Sequence, residues 1–161
     1  MKHLLIASFC LFLLNASSFA QSDKEDIDLI QSAYGKDKKA LVSGYMLVQP
    51  KDSAAFWKLY DEYEDSRKAI GRERIVIIKD YATNYDKLTN AKATQLANGI
   101  FTNDAKLNNL QKTYFAKFST IVGGRSSAKL FQVEAYLQNM VRSKLMDHIP
   151  FIDELEKAKK N

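Results

Sequence analysis

The chain has 161 residues, of which 46% are hydrophobic and 27% charged, and 24 Lys and Arg against 19 Asp and Glu give a net charge of +5. One cysteine and two histidines leave almost nothing for thiolate ligation, disulfides or imidazole-based metal sites. This length suits a single domain with a sizeable core.

The first segment is read as removable. Lys2 precedes an apolar run from Leu4 to Leu14, followed by Ser17, Ser18, Phe19 and Ala20, the pattern of a secretory signal peptide over residues 1–20 with cleavage before Gln21. That run has 11 residues, too few for the ~20 that cross a bilayer, so no transmembrane segment is expected in the mature chain. Cys10 lies inside the leader after Phe9 rather than a small residue, which argues against acylation there. The mature protein, residues 21–161, is therefore expected to be a periplasmic, thiol-free, single helical domain. Its polar ends at 21–25 and 156–161 read as frayed. Loss of Lys2 leaves 23 bases against 19 acids, a charge of +4, unevenly spread. Residues 88–146 carry eight bases and only Asp104 and Glu134 as acids.

Taken in order, Asp26 to Tyr34 and Lys38 to Val48 read as short helical pieces broken at Gly35. Pro50 then suits the first turn of a helix, with Asp52 complementing the dipole. Phe56, Tyr60, Tyr63, Ile70, Ile77, Tyr81 and Leu88 recur at helical spacing, with Arg67 and Arg74 filling two steps of the stripe. One helix of roughly 35 residues, about 50 Å long, is predicted, weakened at Gly71. Thr89 or Asn90 caps a second helix along Leu96, Ile100, Leu107, Leu110, Tyr114, Phe118 and Ile121, with Asn103 as a polar step. Gly123 and Gly124 end it. Ser126 is expected to cap a third helix whose stripe is Leu130, Val133, Leu137, Val141 and Leu145, interrupted near its end by Pro150. No strand is predicted, and no linker marks a second domain. The fold class is all-α: long antiparallel helical hairpins, as an extended cradle-like dimer or a small bundle.

Catalytic signals are weak. His148 is the one histidine of the mature chain and sits near a helix end, and the acidic cluster Asp61, Glu62, Glu64 and Asp65 reads as a solvated face with Lys58 and Lys68 as partners. No enzyme, cofactor or metal is expected. Arg67 and Arg74 need acids if they face a neighbouring helix, and Glu134 is the only acid between Ser126 and Met146. A pair between Glu134 and Arg67 or Arg74 is therefore predicted. Aromatic residues off the main stripe, Trp57, Phe101 and Phe115, are candidates for a homodimer seam or an exposed patch. With Lys112, Lys117 and the two stripe arginines they form the candidate partner-binding set.

Phe56-Trp57, Tyr60, Tyr63-Glu64 at the head of the long helix and Leu88-Thr89 at the junction resemble the Spy/CpxP-related exported helical proteins. The FWxxYxxYE opening, the DYAxNYDxLT junction from Asp80 to Thr89 and the FQxE segment from Phe131 to Glu134 more closely resemble a set of uncharacterised exported bacterial proteins. The LTxxQ signature of the group reads here Leu88-Thr89-Asn90-Ala91-Lys92, with lysine in place of glutamine. The resemblance implies a helical cradle, dimeric, whose basic and apolar face holds unfolded proteins without ATP. The expected function is thus a periplasmic ATP-independent chaperone or envelope-stress adaptor binding partly unfolded or envelope proteins. The alternative is a regulatory sensor docking on one envelope partner. Export makes nucleic acid an unsuitable ligand for the basic half.

Overall fold

Pro50 begins the longest uninterrupted helix among the described residues, and its missing N–H costs nothing in a first turn. The residue before it, Gln49, is extended (φ −63°, ψ 144°), Asp52 lies in the first turn, and the helix runs on through Gly71 to Asn84. In a computed structural model describing residues 38–146 and 149–152, helix α1 covers residues 38–45 and α2 covers Pro50–Asn84. The leader, the piece expected from Asp26 to Tyr34, both polar termini and His148 lie outside the described residues. The 35 residues of α2 match the length expected from its periodicity. Helix α1 stops at 45, short of the expected Val48.

A 3-10 turn at Tyr85–Lys87 reverses the chain. Thr89 then caps the next helix, its hydroxyl accepting the Lys92 backbone N–H at 3.2 Å, three residues on, as an N-cap does. The helical run Asn90–Met146 is divided at Gly123, where φ is 78° and ψ 157°, a region open essentially to glycine alone. The two parts are α3 (90–122) and α4 (124–146). Because helix resumes directly after Gly123, Ser126 lies inside the first turn of α4 and is not its cap, correcting the expectation from sequence. Ser127, fully buried, donates to the Phe115 carbonyl at 3.0 Å and ties the start of α4 back onto α3.

The helices pack antiparallel in succession, and no strand occurs among the described residues. Phe56 meets Phe118 with ring centroids 5.1 Å apart, Tyr63 meets Tyr114 at 5.4 Å, and further along Asn103 Nδ2 donates to the Ile70 carbonyl at 2.9 Å. Falling numbers on α2 thus meet rising numbers on α3. From α4, Phe131 stands edge-on to Tyr63 at 5.7 Å. Val42 and Met46 of α1 and its end join Phe56, Tyr60, Tyr63, Phe118, Leu130 and Leu137 in one core. This bears out the expected all-α class, with long helices arranged as an antiparallel hairpin. Burial of each large side chain there contributes roughly 1.5–3 kcal/mol. No helix among the described residues is long and apolar enough to cross a membrane.

The turn at Gly123 sets the antiparallel return of α4 and is sensitive to backbone chemistry alone, since a Cβ there would meet nothing within 4 Å. Gly123→Ala is expected to cost about 1–3 kcal/mol in chemical denaturation through strain. Gly124→Ala, equally unobstructed but in helical conformation, is expected to be neutral or stabilising by up to about 1 kcal/mol. Equal losses at the two positions would count against the strained turn.

Candidate functional site

The most concentrated chemistry lies where α1 crosses α2 and α4. Tyr60, Tyr63, Glu64 and Arg67 share one side of α2 by their spacing of three and four. Glu134 projects from α4, and Lys38 opens α1. Lys38 Nζ donates to Glu64 Oε1 at 2.5 Å and to Glu134 Oε2 at 2.6 Å. The Tyr60 hydroxyl donates to Glu134 Oε1 at 3.0 Å and the Tyr63 hydroxyl to Glu134 Oε2 at 3.2 Å. Arg67 closes the group with a two-point contact to Glu64, at 2.7 and 3.1 Å. Lys38 is 3%, Glu64 7% and Glu134 1% exposed. Two cations face two anions, so the cluster is neutral as a whole, the condition under which buried charges are tolerable.

Burial pushes the Tyr60 and Tyr63 hydroxyls well above the ordinary phenol range, reinforced by the adjacent negative charges of Glu134 and Glu64. Both rings therefore serve as hydrogen-bond donors. Burial also works against ionisation of Glu64, but the Arg67 hydrogen bonds and the Lys38 charge outweigh it and hold the carboxyl below its usual value. Burial opposes the charge on Arg67, which Glu64 more than restores, raising its pKa. In this arrangement the donors and acceptors meet one another, and the cluster works as a structural lock.

The predicted pair between Glu134 and Arg67 or Arg74 is corrected. Glu134 is held by Lys38, which α1 inserts between α2 and α4. Arg67 finds Glu64 three residues earlier on its own helix and feels Glu134 only through space. Arg74 lies two helical turns further along and donates to Asp104 Oδ1 at 2.7 Å, the same oxygen that Arg142 reaches at 2.6 Å. Lys38 was missed from sequence, although a signal existed. It precedes Val42 and Met46 at steps of four, so it occupies a stripe position just as Arg67 and Arg74 do.

The candidate partner-binding residues do not form one face, a second correction. Trp57 is half-buried, edge-on to Phe56 at 5.0 Å and to Tyr60 at 5.5 Å, with Lys39 Nζ 5.5 Å over a ring. Arg67 and Arg74 are engaged in the ion pairs above. Phe101, Lys112 and Phe115 lie on the outside of α3, with Phe101 68% exposed. Phe115 leans on Phe131 of α4 at 6.1 Å, and Lys117 Nζ sits 4.5 Å over the Tyr114 ring. On α4, Tyr136 is 60% exposed and Met140 is exposed as well. No group of three or more His, Cys, Asp or Glu side chains suited to a metal ion comes together among the described residues.

No family model matches the sequence, and comparison with characterised proteins and with solved structures likewise finds no match.

Two measurements test the lock. Lys38→Met leaves Glu134 without its cation and is expected to cost about 3–5 kcal/mol by urea denaturation, whereas Lys39→Met, whose ion pair with Asp61 is exposed at both ends, is expected to cost at most about 1 kcal/mol. In acid, Glu64 contributes stability that is complete above its unfolded value of about 4.5 and is lost as pH falls through its lower folded value. A Glu64→Gln protein is expected to start less stable at neutral pH and to show a shallower decline below pH 4.5.

Proposed function

We propose that this protein is an exported, non-catalytic binding module that holds partly unfolded or envelope proteins in the periplasm without ATP, using the outer surface of α3 and α4. The observation that carries this reading is the fate of the two acids between residues 88 and 146. Asp104 is engaged by Arg74 and Arg142, and Glu134 is buried against Lys38 and two tyrosines. Lys112, Lys117, Arg125 and Lys129 remain exposed on the same two helices with no fully exposed carboxylate among them. Exposed Phe101, Phe115, Tyr136 and Met140 lie on those helices too. Apolar side chains among unneutralised cations complement polypeptide segments that mix apolar and acidic residues, and the positive field speeds their encounter.

The leader at 1–20 and the thiol-free mature chain support the periplasm as the place of action. The resemblance of the Phe56 to Glu64 opening to exported helical chaperone-like proteins agrees with it.

The mature protein is expected to suppress aggregation of several unrelated denatured clients at near-equimolar ratio, by light scattering, with the effect weakened at 0.5 M salt because the Debye length shortens to about 4 Å. Reversing Lys112, Lys117 and Lys129 to Glu is expected to weaken suppression about tenfold, from a few tenths to one kcal/mol at each exposed site. Inactivity toward all clients, together with recovery of one dominant envelope protein by crosslinking, would instead favour a sensor that docks on a single partner.

A further inference from the structure

At the end of the bundle remote from Lys38, a cavity of about 390 Å³ opens between α2, α3 and α4, with residues 149–152 passing along it. The Tyr81 hydroxyl donates to the Pro150 carbonyl at 2.7 Å and the Tyr85 hydroxyl to the Phe151 carbonyl at 2.8 Å, so two phenols on α2 and the following turn tether this strap. The walls are mostly aliphatic, formed by side chains such as Ile77, Leu96, Ile100 and Leu145, with Tyr81 and Phe151 as aromatic members and Arg74 and Arg142 as the charged exceptions.

These two arginines share one carboxylate. Both donate to the same Asp104 oxygen, so the three groups together carry a net charge of +1 at the edge of an apolar cavity. Each guanidinium has five N–H donors in a planar fork suited to a carboxylate or phosphate, and the shared oxygen takes one nitrogen from each. Charge on that wall is worth more than on an open surface because the aliphatic surroundings screen it less. The volume falls at the lower end of small-molecule sites, which run from roughly 300 to 1,000 Å³ with apolar walls and a few placed polar groups. At about 30 Å³ for each water-sized group, it has room for about a dozen such groups.

We infer that this cavity binds a small anionic amphiphile, a medium-chain carboxylate, with its chain between α2, α3 and α4 and its headgroup on Arg74 and Arg142. The site is separate from the outer surface of α3 and α4 proposed above for polypeptides and does not depend on that reading. Of the occupants an apolar cleft could take, this one uses both the aliphatic volume and the surplus cation. A neutral hydrocarbon leaves the surplus unanswered, and a cationic amphiphile is repelled by it.

Titration calorimetry on the full mature chain with decanoate, decanol and decylamine tests this. Decanoate is expected to bind at least about tenfold more tightly than decanol, and decylamine the most weakly. Arg142→Gln removes the surplus charge while leaving the Arg74 to Asp104 pair in place, and is expected to abolish the preference for decanoate without weakening decanol. Ala93→Phe, which fills the cavity from α3, is expected to lose both ligands. Methyl shifts of Ile77 and Ile100 on adding decanoate, followed by NMR in the unsubstituted protein, locate the ligand without relying on any variant's stability. Equal binding of the three amphiphiles, equal losses of decanoate and decanol in Arg142→Gln, or displacement of decanoate by an unfolded client protein would each overturn the assignment.

Discussion

Glu134 sits at the centre of a helical bundle with essentially no access to water, and a lone carboxylate there would cost several kcal/mol. Lys38 and the two tyrosine hydroxyls make its burial tolerable, and through them three separate helices become parts of one arrangement. Aromatic packing around the site is broad and tolerates sliding. The ion pairs do not: a shift of α4 by one helical turn, 5.4 Å, would carry Glu134 out of reach of Lys38. Packing supplies most of the stabilisation, while the buried charges restrict which axial register the helices adopt.

The interior also determines the character of the surface. The α3 and α4 helices have only two acids between residues 88 and 146, and both are engaged: Glu134 by Lys38 of α1, and Asp104 by Arg74 of α2 and Arg142 of α4. Lys92 and Lys106 of α3 meet Asp80 and Glu73 of α2, while Lys112, Lys117, Arg125 and Lys129 stand exposed on α3 and α4. The cationic outer surface of α3 and α4 is thus the counterpart of contacts that have taken up their acids. The same relation explains why α2 differs: Asp61 and Glu73 lie on its exposed side and meet Lys39 and Lys106 there.

Helical periodicity made most of this architecture legible. The stripe from Phe56 to Tyr81, Pro50 at its start, a threonine cap at Thr89 and a glycine break after Val122 define three long helices in one dimension. Partner choice needed a second dimension. Arg74 lies ten residues before the end of α2 and Asp104 fourteen after the start of the next helix, so counting equally from the short connection brings them within about one turn of each other. That pair was within reach of sequence reasoning. Glu134 was not, because its axial position depends on the turn at Gly123 and its partner comes from α1, a short helix whose docking no period specifies. Arg67 and Arg74 both lie on the inward side of α2, but Arg67 meets Glu64 on its own helix while the partner of Arg74 is set by the offset between α2 and α3.

The cavity follows from a change in side-chain volume along helices whose spacing is fixed by rigid backbones. Near Lys38 the inward residues are Phe56, Tyr60, Tyr63, Tyr114 and Phe118, and α1 adds Val42 and Met46. At the far end α3 contributes Ala93, Leu96 and Ala97, and the facing positions of α2 are Ile77 and Ile78. Interiors normally fill to crystal-like density, so smaller side chains between helices held apart elsewhere leave unfilled volume. The aromatic end holds the helices in position, and the aliphatic end, released from that task, has room for a ligand. A period-based reading treats alanine and phenylalanine alike as members of one apolar stripe, which is why the stripe was visible in the sequence and the cavity within it was not.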